Sequence, residues 1–322
     1  SALFKGNYKI VRNRPPNGSN QWELYNLHED PGETQDLSKI MPDKLLILGG
    51  THEAYDLAEC LVEQYSRKNL IVISSLAGVT GSPKLPAGQV RIGGFANTYN
   101  RGGKSVRSSI LGLRKYLLQE KITLLINATH PYAIQISENA HAVSKELSLP
   151  YLRLSRSPWP KKSGDRWIKV KDLVSASEYL KSEMEKTNSG PTKQIVFLTT
   201  GNRSLELFQQ CKKLKFLVRT VEAPENFMTT AGTKFWKEAE FLRARGPFTL
   251  ENELALFQKY GVTMLVSKNS GGNSTYPKIE AARKLKIPVL MVDRPSINST
   301  NLCHQVNEAL DWIVQKTKNY CF

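Results

Sequence analysis

Four short segments carry the residues whose types and spacing suggest chemistry. Each is polar or glycine-rich and directly follows an apolar run: Gly49-Gly50-Thr51, Thr129-His130-Pro131-Tyr132, Thr200-Gly201-Asn202-Arg203 and Lys268-Asn269-Ser270-Gly271. Glycines let the backbone turn sharply and approach a ligand closely. Backbone amides at the start of a helix favour an anion. One such segment is ordinary, but four at equivalent places after apolar runs predict a shared ligand site.

The Gly49-Gly50-Thr51 segment is typical both of a nucleotide-binding turn and of a plain turn between a strand and a helix. It lacks the full glycine fingerprint of dinucleotide-binding folds, and Glu53 in the following helical turn would repel a pyrophosphate. The next apolar run ends in Ser74-Ser75, with no acidic residue there to bind both ribose hydroxyls of NAD. The turn leaves both interpretations open, and the serine pair favours NADP.

Apolar runs and helical patterns alternate from Lys44 onward, and they predict the elements that position these segments. Several runs are apolar at successive positions, as strands buried on both faces are, which indicates mostly parallel sheets. The predicted strands are 45–48, 70–74, 123–127, 151–154, 195–199, 216–220, 263–267 and 289–292. The predicted helices are 52–66, 109–119, 133–147, 173–186, 203–212, 250–260, 277–286 and 303–317. The fold class is therefore α/β, with two Rossmann-like domains.

Three parts of the chain are predicted: residues 1–41, an N-terminal Rossmann-like domain over 42–160 and a C-terminal one over 161–322. In the first part, the Asn17-Gly18 turn signal between two strand-like runs predicts a β-hairpin that either packs on the rest or stays mobile. Trp22–Leu27 and the following Asp30–Glu33 resemble the C-terminal end of sulfatases. The sulfatase nucleophile motif is absent from the sequence, so we infer no sulfatase activity. Met41 is typical of the start of a separate protein.

The composition limits the classes of partner. The 322-residue chain has a formal net charge of +16, and residues 1–41 hold equal numbers of basic and acidic side chains. Such an excess favours nucleic acid or a small molecule with several carboxylates or phosphates. The basic residues form no dense tract and no nucleic-acid-binding motif. A polyanionic metabolite is therefore the expected partner, and nucleic acid is not.

Location and metal content are predicted from absences in the sequence. No apolar stretch approaches the roughly 18 residues that a membrane span needs, and no signal peptide is recognised. We therefore expect a soluble cytoplasmic protein. The four cysteines, Cys60, Cys211, Cys303 and Cys321, are scattered, which predicts free buried thiols and no metal site. The sequence does not indicate an oligomeric state.

From Met41 to Arg294 the sequence resembles the precorrin-6A reductases of corrin-ring (vitamin B12) synthesis. The matching motifs, in order, are "ILGGTHEA", "SLAG", "VRIGGF", "NATHPYA", "RSPW" with "GDRW", "FLTTG", "VR" before "EAPE", "RGPF" with "ENE", "SKNSGG", "KIEAAR" and "PVLMVDRP". Their number and order make a chance match improbable.

The resemblance implies an enzyme that transfers a hydride from NADPH, or from NADH, to one double bond of an anionic tetrapyrrole-derived macrocycle without flavin or metal catalysis. The protein would mainly position the nicotinamide against the ring. The candidate cofactor-binding residues are Gly49, Gly50, Thr51, Ser75, Thr200, Gly201 and Arg203. The candidate substrate-binding residues are Arg153, Arg156, Arg219, Arg245, Asn269, Ser270 and Gly271. His130, Tyr132 and Lys268 are candidate proton donors, with solvent as the alternative.

The sequence departs from the family pattern in three places. Val79 stands where an arginine is expected, Asn127 replaces an aspartate, and residues 96–109 are predicted to form a longer polar loop. These departures leave the fold prediction intact but leave cofactor preference and catalytic efficiency open. A non-catalytic Rossmann-type module that binds a tetrapyrrole or a nucleotide is therefore the alternative function. Whether the macrocycle carries cobalt is also open.

Overall fold

The computed structural model describes most of the chain. It excludes residues 17, 19, 35, 37–41, 66–69, 79–84, 102–103, 187–193, 222–235, 237, 298, 300 and 318–322, and it describes only the backbone of 65, 97–101, 104–107, 184–186 and 203.

The described strands are, in chain order, β1 Ala2–Lys5, β2 Tyr8–Arg12, β3 Trp22–Asn26, β4 Asp43–Leu48, β5 Leu70–Leu76, β6 Gln89–Ile92, β7 Asn97–Arg101, β8 Lys104–Ser108, β9 Leu124–Asn127, β10 Tyr151–Leu154, β11 Trp167–Val170, β12 Ile195–Leu198, β13 Lys215–Thr220, β14 Glu240–Arg243, β15 Met264–Lys268, β16 Val289–Val292 and β17 Leu302–Cys303. The α-helices are α1 His52–Tyr65, α2 Ser109–Gln119, α3 Ile134–Glu146, α4 Leu173–Lys186, α5 Leu250–Lys259, α6 Pro277–Lys284 and α7 Val306–Lys316. Asn202–Gln210 and Asn273–Thr275 form 3₁₀ helices.

Two six-stranded parallel sheets dominate the described structure. Their strand orders are β6-β5-β4-β9-β10-β17 and β14-β13-β12-β15-β16-β11. The direction of the strand order reverses once in each sheet, between β4 and β9 in the first and between β12 and β15 in the second. Loops leave the carboxyl ends of neighbouring strands in opposite directions at such a switch point, so a crevice opens there. The predicted Rossmann-like α/β architecture is confirmed.

The second half of the chain supplies the outermost strand of the first sheet. β17, close to the C-terminal end, pairs in parallel with β10 of the first sheet, through Arg153↔Leu302 and Leu154↔Cys303. Ala309 and Ile313 of α7 then pack against Leu57 and Ala58 of α1. The sequence analysis grouped residues 302–316 with the C-terminal half, whereas in the structure they belong to the first sheet. A two-residue strand carries too little pattern to reveal its partner.

The N-terminal segment and residues 96–109 differ from their predictions. β1 pairs with β2 and β2 with β3, all antiparallel, so the predicted hairpin is part of a three-stranded sheet. The predicted polar loop was wrong, because β7 and β8 pair antiparallel from Asn97↔Ser108 to Arg101↔Lys104. Ser108 then caps α2, its hydroxyl accepting from the Leu111 amide.

Apolar side chains cover both faces of each parallel sheet. In the first sheet, Leu45 and Ile47 pack on one face and Leu46 and Leu48 on the other, all at most 1% exposed. The second sheet is covered in the same way by two further apolar clusters. Burial on both faces explains why the central strands are apolar at successive positions. Because the strands are parallel, the polar segments that follow them all leave from the carboxyl edge of their sheet.

Candidate active site

The first switch point joins the Gly49-Gly50-Thr51 turn to the segment that follows β9. The hydroxyl of Thr51 donates to the Ala128 carbonyl oxygen at 2.7 Å, and it accepts from the Ala54 amide at 3.3 Å, which caps α1. Gly50 has φ +111°, and no heavy atom lies within 4 Å of the position a Cβ would occupy. The turn therefore presents bare backbone to open space, as close approach of a ligand requires.

Asn127 organises the neighbouring loop. Its side chain is buried, its amide donates to the Tyr151 hydroxyl at 3.1 Å, and its carbonyl oxygen accepts from the Thr129 amide at 3.2 Å and hydroxyl at 2.7 Å. The amide group thus serves as donor and acceptor together. This bonding sets the conformation of the residues just before His130.

An ion pair compensates the charge of Glu53. The Arg156 guanidinium, in the segment between the two sheets, donates to the Glu53 carboxylate at 2.9 Å and to the Ser270 carbonyl oxygen at 2.8 Å. Arg156 therefore connects the first switch point to the second. The sequence analysis expected Glu53 to repel a pyrophosphate, and a partner at this distance offsets that repulsion.

The second switch point repeats the geometry of the first. The Lys268 ammonium donates to the Thr200 carbonyl oxygen at 2.8 Å, across the β12 and β15 ends. Gly201 has φ +83° with no heavy atom within 4 Å of its Cβ position, and the Thr200 hydroxyl is buried without a hydrogen-bond partner among the described residues. A buried hydroxyl lacking a partner fits a ligand or water at this place. Both turns thus fit a group that approaches backbone closely.

Contacts between the halves bring the two switch points together. The Tyr132 hydroxyl donates to the Val292 carbonyl oxygen at 2.6 Å, and the Lys268 ammonium lies 5.5 Å from the centre of the Tyr132 ring. Arg294 donates to the carbonyl oxygens of Asn269 at 2.8 Å and Arg156 at 2.6 Å. The first half therefore contacts the Lys268-to-Gly271 segment directly.

Four cations surround His130. Desolvation in the cleft, followed by the charges of Arg156, Lys268, Arg294 and Lys278, lowers the pKa of His130 to about 3. Its residue surface is still exposed. Water partly screens the four cationic charges from the exposed imidazole, but the lowered pKa still leaves the imidazole neutral at pH 7. Burial likewise raises the pKa of Tyr132 to about 12, so its phenol holds its proton.

A cavity of about 480 Å³ lies beside this cluster. It is lined by Trp159, Trp167 and several prolines and lysines, and it shares Asn269 and Arg294 with the cluster, but not Thr51, His130 or Thr200. We call the region where the four polar segments converge the cleft. We take the cleft as the candidate site, because the four segments converge there.

The described ranges show neither a metal cluster nor a membrane-spanning helix. Those ranges contain no group of three or more His, Cys, Asp or Glu side chains able to hold a metal ion. None of the helices in the described part is long and apolar enough to cross a membrane.

Comparison with known proteins identifies the family. A sequence model described as "Precorrin-6x reductase CbiJ/CobK" matches residues 44–314. The chain belongs to this reductase family. A precorrin-6A reductase from Rhodococcus erythropolis is 35% identical over 276 residues, covering 85% of this chain and 99% of the relative. A cobalt-precorrin-6A reductase from Priestia megaterium is 24% identical over 280 residues, covering 85% of this chain and all of the relative.

A solved structure supports the same family. The structure titled "CobK precorrin-6A reductase" has a TM-score of 0.70 and 32% sequence identity to this chain, and the match covers 85% of this chain and 97% of that one. The membership predicted from the motifs is confirmed.

Within this reductase-family fold, the candidate residues separate by position. The residues that converge at the cleft are Gly49, Gly50, Thr51, His130, Tyr132, Arg156, Thr200, Gly201, Lys268, Asn269, Ser270 and Gly271. Gly271 is tightly packed, since a Cβ there would lie 2.2 Å from the Ser157 carbonyl oxygen. Arg203's side chain and Val79 lie outside the described residues.

The other three predicted arginines differ in exposure and in the contacts they make. Arg219 is buried in an ion pair with Glu253, at 2.7 Å, and its guanidinium lies between the Phe197 and Phe248 rings. Arg153 is 5% exposed, and burial lowers its pKa. Arg245 is exposed beyond the edge strand β14. The sequence places an arginine at the end of a strand but does not show whether its side chain is buried or faces a ligand. The sequence therefore could not distinguish Arg153, Arg219 and Arg245 from Arg156.

Arg91 is a candidate site residue that the sequence analysis missed. It lies in β6, and its guanidinium donates to the Ser75 hydroxyl at 3.1 Å and to the carbonyl oxygens of Gly93 and Gly94. It also stacks on the Phe95 ring, 3.9 Å from the ring centre. The signal was the arginine of the "VRIGGF" motif. Because β6 was not predicted, nothing placed this arginine beside the serine pair.

Proposed function

We propose that this chain reduces one double bond of precorrin-6A, or of its cobalt-containing form, in corrin synthesis, using NADPH as the reductant. The observation that carries the proposal is the convergence of two glycine turns and a ring of cations at one cleft, in a chain of the precorrin-6x reductase family. The macrocycle carries several carboxylates, which such a ring of cations attracts.

The nucleotide is proposed to bind at the first switch point. Backbone amides after Gly50 and at the start of α1 suit a pyrophosphate. The ion pair with Arg156 offsets the repulsion that the Glu53 carboxylate would exert on that pyrophosphate. Ser75 and Arg91 offer a hydroxyl and a guanidinium where an NAD-specific fold would have an acidic residue. We therefore propose NADPH over NADH. Arg91 also supplies a cation for a cofactor phosphate, and the sequence has Val79 where an arginine was expected for that role.

The macrocycle is proposed to lie between the turn at Thr51 and the segment from Lys268 to Gly271. Arg156, Lys268 and Arg294 are the cations available to its carboxylates, and guanidinium groups can hold such oxygens in pairs. Asn269 and Ser270 add polar side chains to the same segment. We leave three arginines out of this set, because Arg153 and Arg219 are buried and Arg245 is exposed beyond the edge strand β14.

The reaction adds a hydride to one carbon of the double bond and a proton to its neighbour. Bound reduced nicotinamide supplies the hydride. A neutral His130 has no acidic proton to give, and the single hydroxyl hydrogen of Tyr132 is used in a hydrogen bond to the Val292 carbonyl oxygen. The Lys268 ammonium donates to the Thr200 carbonyl oxygen but has three donor hydrogens. Lys268 is therefore the side chain we propose as the proton donor, with solvent as the competing source. The remaining residues hold the reactants in place and exclude water.

Anaerobic turnover tests the proposal. The full chain is supplied with metal-free or cobalt-loaded precorrin-6A, each with NADPH or NADH, while nucleotide oxidation and macrocycle absorbance are followed together. We expect equal amounts of nucleotide and macrocycle consumed, with NADPH preferred. A shift in macrocycle absorbance without nucleotide oxidation would instead indicate a non-catalytic binding module.

A further inference from the structure

The cavity beside the cleft contains two tryptophans that the proposed function does not use. Trp159 ends the "RSPW" motif and Trp167 ends the "GDRW" motif, and both line this cavity of about 480 Å³. A volume of this size is typical of small-molecule sites. The indole Nε1 of Trp167 is buried and has no hydrogen-bond partner among the described residues. An unsatisfied buried donor on a lining residue fits a bound acceptor or a water.

The cavity extends from the carboxyl edge of the second sheet along its outermost strand, β11. Asn269 and Asp293 directly follow the ends of β15 and β16, and β11 supplies Trp167 and Lys169. Trp167 and Lys169 are two residues apart in a strand, so their side chains lie on the same face of the sheet. Ligands of parallel sheets bind outside the carboxyl ends of the strands, which is where this cavity begins.

Hydrogen bonds connect the cavity wall to the Lys268-to-Gly271 segment of the candidate site. The Trp159 amide donates to the Asn269 side-chain oxygen at 2.8 Å, and the Asn269 side-chain amide donates to the Trp159 carbonyl oxygen at 3.2 Å. The Trp159 indole donates to the Gly272 carbonyl oxygen at 3.0 Å. Arg294, which also lines the cavity, donates to the Asn269 carbonyl oxygen at 2.8 Å. The cavity therefore adjoins the segment on which the macrocycle is proposed to lie.

The charged side chains of the lining are mostly cationic. Lys161, Lys169 and Arg294 are basic, whereas Asp293 is the acidic member of the lining. Arg294 already donates to two backbone carbonyl oxygens. Both lysines are exposed, and neither forms an ion pair within the part of the chain that the structure describes. Their ammonium groups are therefore available to an anion, next to the flat apolar surface that indole rings offer.

We propose that this cavity is a subsite for one edge of the macrocycle, with ring atoms against Trp159 and Trp167 and carboxylates paired with Lys161 and Lys169. The proposal rests on the proposed function, since that function supplies the macrocycle. It adds a direction to it, because the ring then extends from the Thr51 turn past Asn269 to β11. A cofactor phosphate would use the lysines but not the indoles, so the flat, anionic macrocycle fits the lining better.

Lysine acetylation tests which ligand covers the cavity. The full chain is treated with limiting acetic anhydride, and labelling at each lysine is quantified by mass spectrometry, with NADP⁺ alone or with NADP⁺ and saturating precorrin-6A, so that no turnover occurs. We expect the macrocycle to lower labelling of Lys161 and Lys169 severalfold. Labelling of Lys171, an exposed lysine outside the lining, should stay constant. Unchanged labelling of Lys161 and Lys169 with bound macrocycle, or equal protection by NADP⁺ alone, overturns the proposal.

Matched variants test the two charges. The double variant Lys161→Met with Lys169→Met should raise the Kd for precorrin-6A about ten- to a hundredfold, as loss of charge-assisted hydrogen bonds does. Its Kd for NADP⁺ should match that of the wild type. Lys161→Arg with Lys169→Arg should retain macrocycle affinity because both charges remain, and Lys171→Met should bind like the wild type. Unchanged macrocycle affinity of the double methionine variant, with native circular dichroism, contradicts the proposal.

The two proposals fail separately. Turnover of precorrin-6A with no protection of Lys161 and Lys169 would remove only the cavity subsite. Protection of both lysines by the macrocycle without any turnover would remove only the reductase function.

Discussion

At the scale of single residues, proton transfer depends on which candidate holds an exchangeable proton at neutral pH. The pKa of His130 is lowered by desolvation and four cations, so its imidazole is neutral. Tyr132 has a raised pKa and donates to the Val292 carbonyl oxygen. Lys268, which contacts both Thr200 and the Tyr132 ring, connects the second switch point to the cleft. These three positions predict different effects of substitution.

Substitution of Lys268 should slow the chemical step. We expect Lys268→Met to lower the single-turnover rate of reduction by about 10²- to 10⁴-fold, the usual contribution of a general acid. Lys268→Arg should retain macrocycle affinity, because the charge remains, yet stay slow, because a guanidinium does not release its proton. His130→Asn should change the rate only slightly. A Lys268→Met variant as fast as the wild type would assign proton delivery to solvent.

Substitution of Arg91 should change the cofactor preference. Its contact with Ser75 places a cation where the second ribose of the nucleotide is expected. Arg91→Met should raise the KM for NADPH about ten- to a hundredfold, as loss of a charge-assisted hydrogen bond does. The KM for NADH should stay nearly constant. Equal increases for both nucleotides would instead indicate a structural role through Phe95.

At the scale of elements, the central strands were predictable and the edges were not. All eight predicted strands are present, because burial on both faces makes their sequences continuously apolar. β6 and β14 are short and mixed in polarity, as edge strands are, so they gave no such signal. The convergence of the four polar segments followed from strand order. The direction in which the Arg219 and Arg153 side chains pack could not be predicted, because the spacing of residues in the sequence does not determine how a side chain packs.

Gly271 fixes the approach of the second switch point to the linking segment. With φ +65°, a Cβ there would lie 2.2 Å from the Ser157 carbonyl oxygen and 2.7 Å from Arg294 Nη2. Gly261 has a similar φ of +59° but open space around its Cβ position, so it serves as the control. We expect Gly261→Ala to lower the unfolding free energy by about 1–2 kcal/mol. Gly271→Ala should cost about 1–3 kcal/mol more, from steric overlap. Urea denaturation measures the unfolding free energy of both variants. Equal losses would show that the Ser157 carbonyl and the Arg294 side chain move away from the new Cβ at little cost.

At the scale of the whole molecule, the C-terminal segment ties the two halves together. β17 and α7 complete the first sheet although they follow the second in the chain. A chain crossing twice between the halves limits how far they separate, which suits a site built from both. We therefore propose that the first domain comprises residues 42–160 together with the segment from 302 onward.

Fragments test this arrangement. Residues 42–160 alone should unfold at lower denaturant concentration than the same fragment joined by a short linker to residues 301–317. The reason is that the shorter fragment leaves Leu57 and Ala58 of α1 without Ala309 and Ile313. Buried apolar area contributes about 25 cal/mol per Å², so the loss should be several kcal/mol. Equal midpoints for the two fragments would show that the segment adds no stability.

Direct hydride transfer is the central claim, and isotope transfer measures it. Anaerobic reaction of the full chain with precorrin-6A and NADPH deuterated at the reactive nicotinamide carbon is followed by mass spectrometry of the macrocycle, using each deuterated stereoisomer in turn. With one stereoisomer, the account predicts one deuterium in every reduced macrocycle and loss of an equal amount of NADPH. Reduced macrocycle without deuterium from either stereoisomer, or bound macrocycle that remains unreduced, would contradict it.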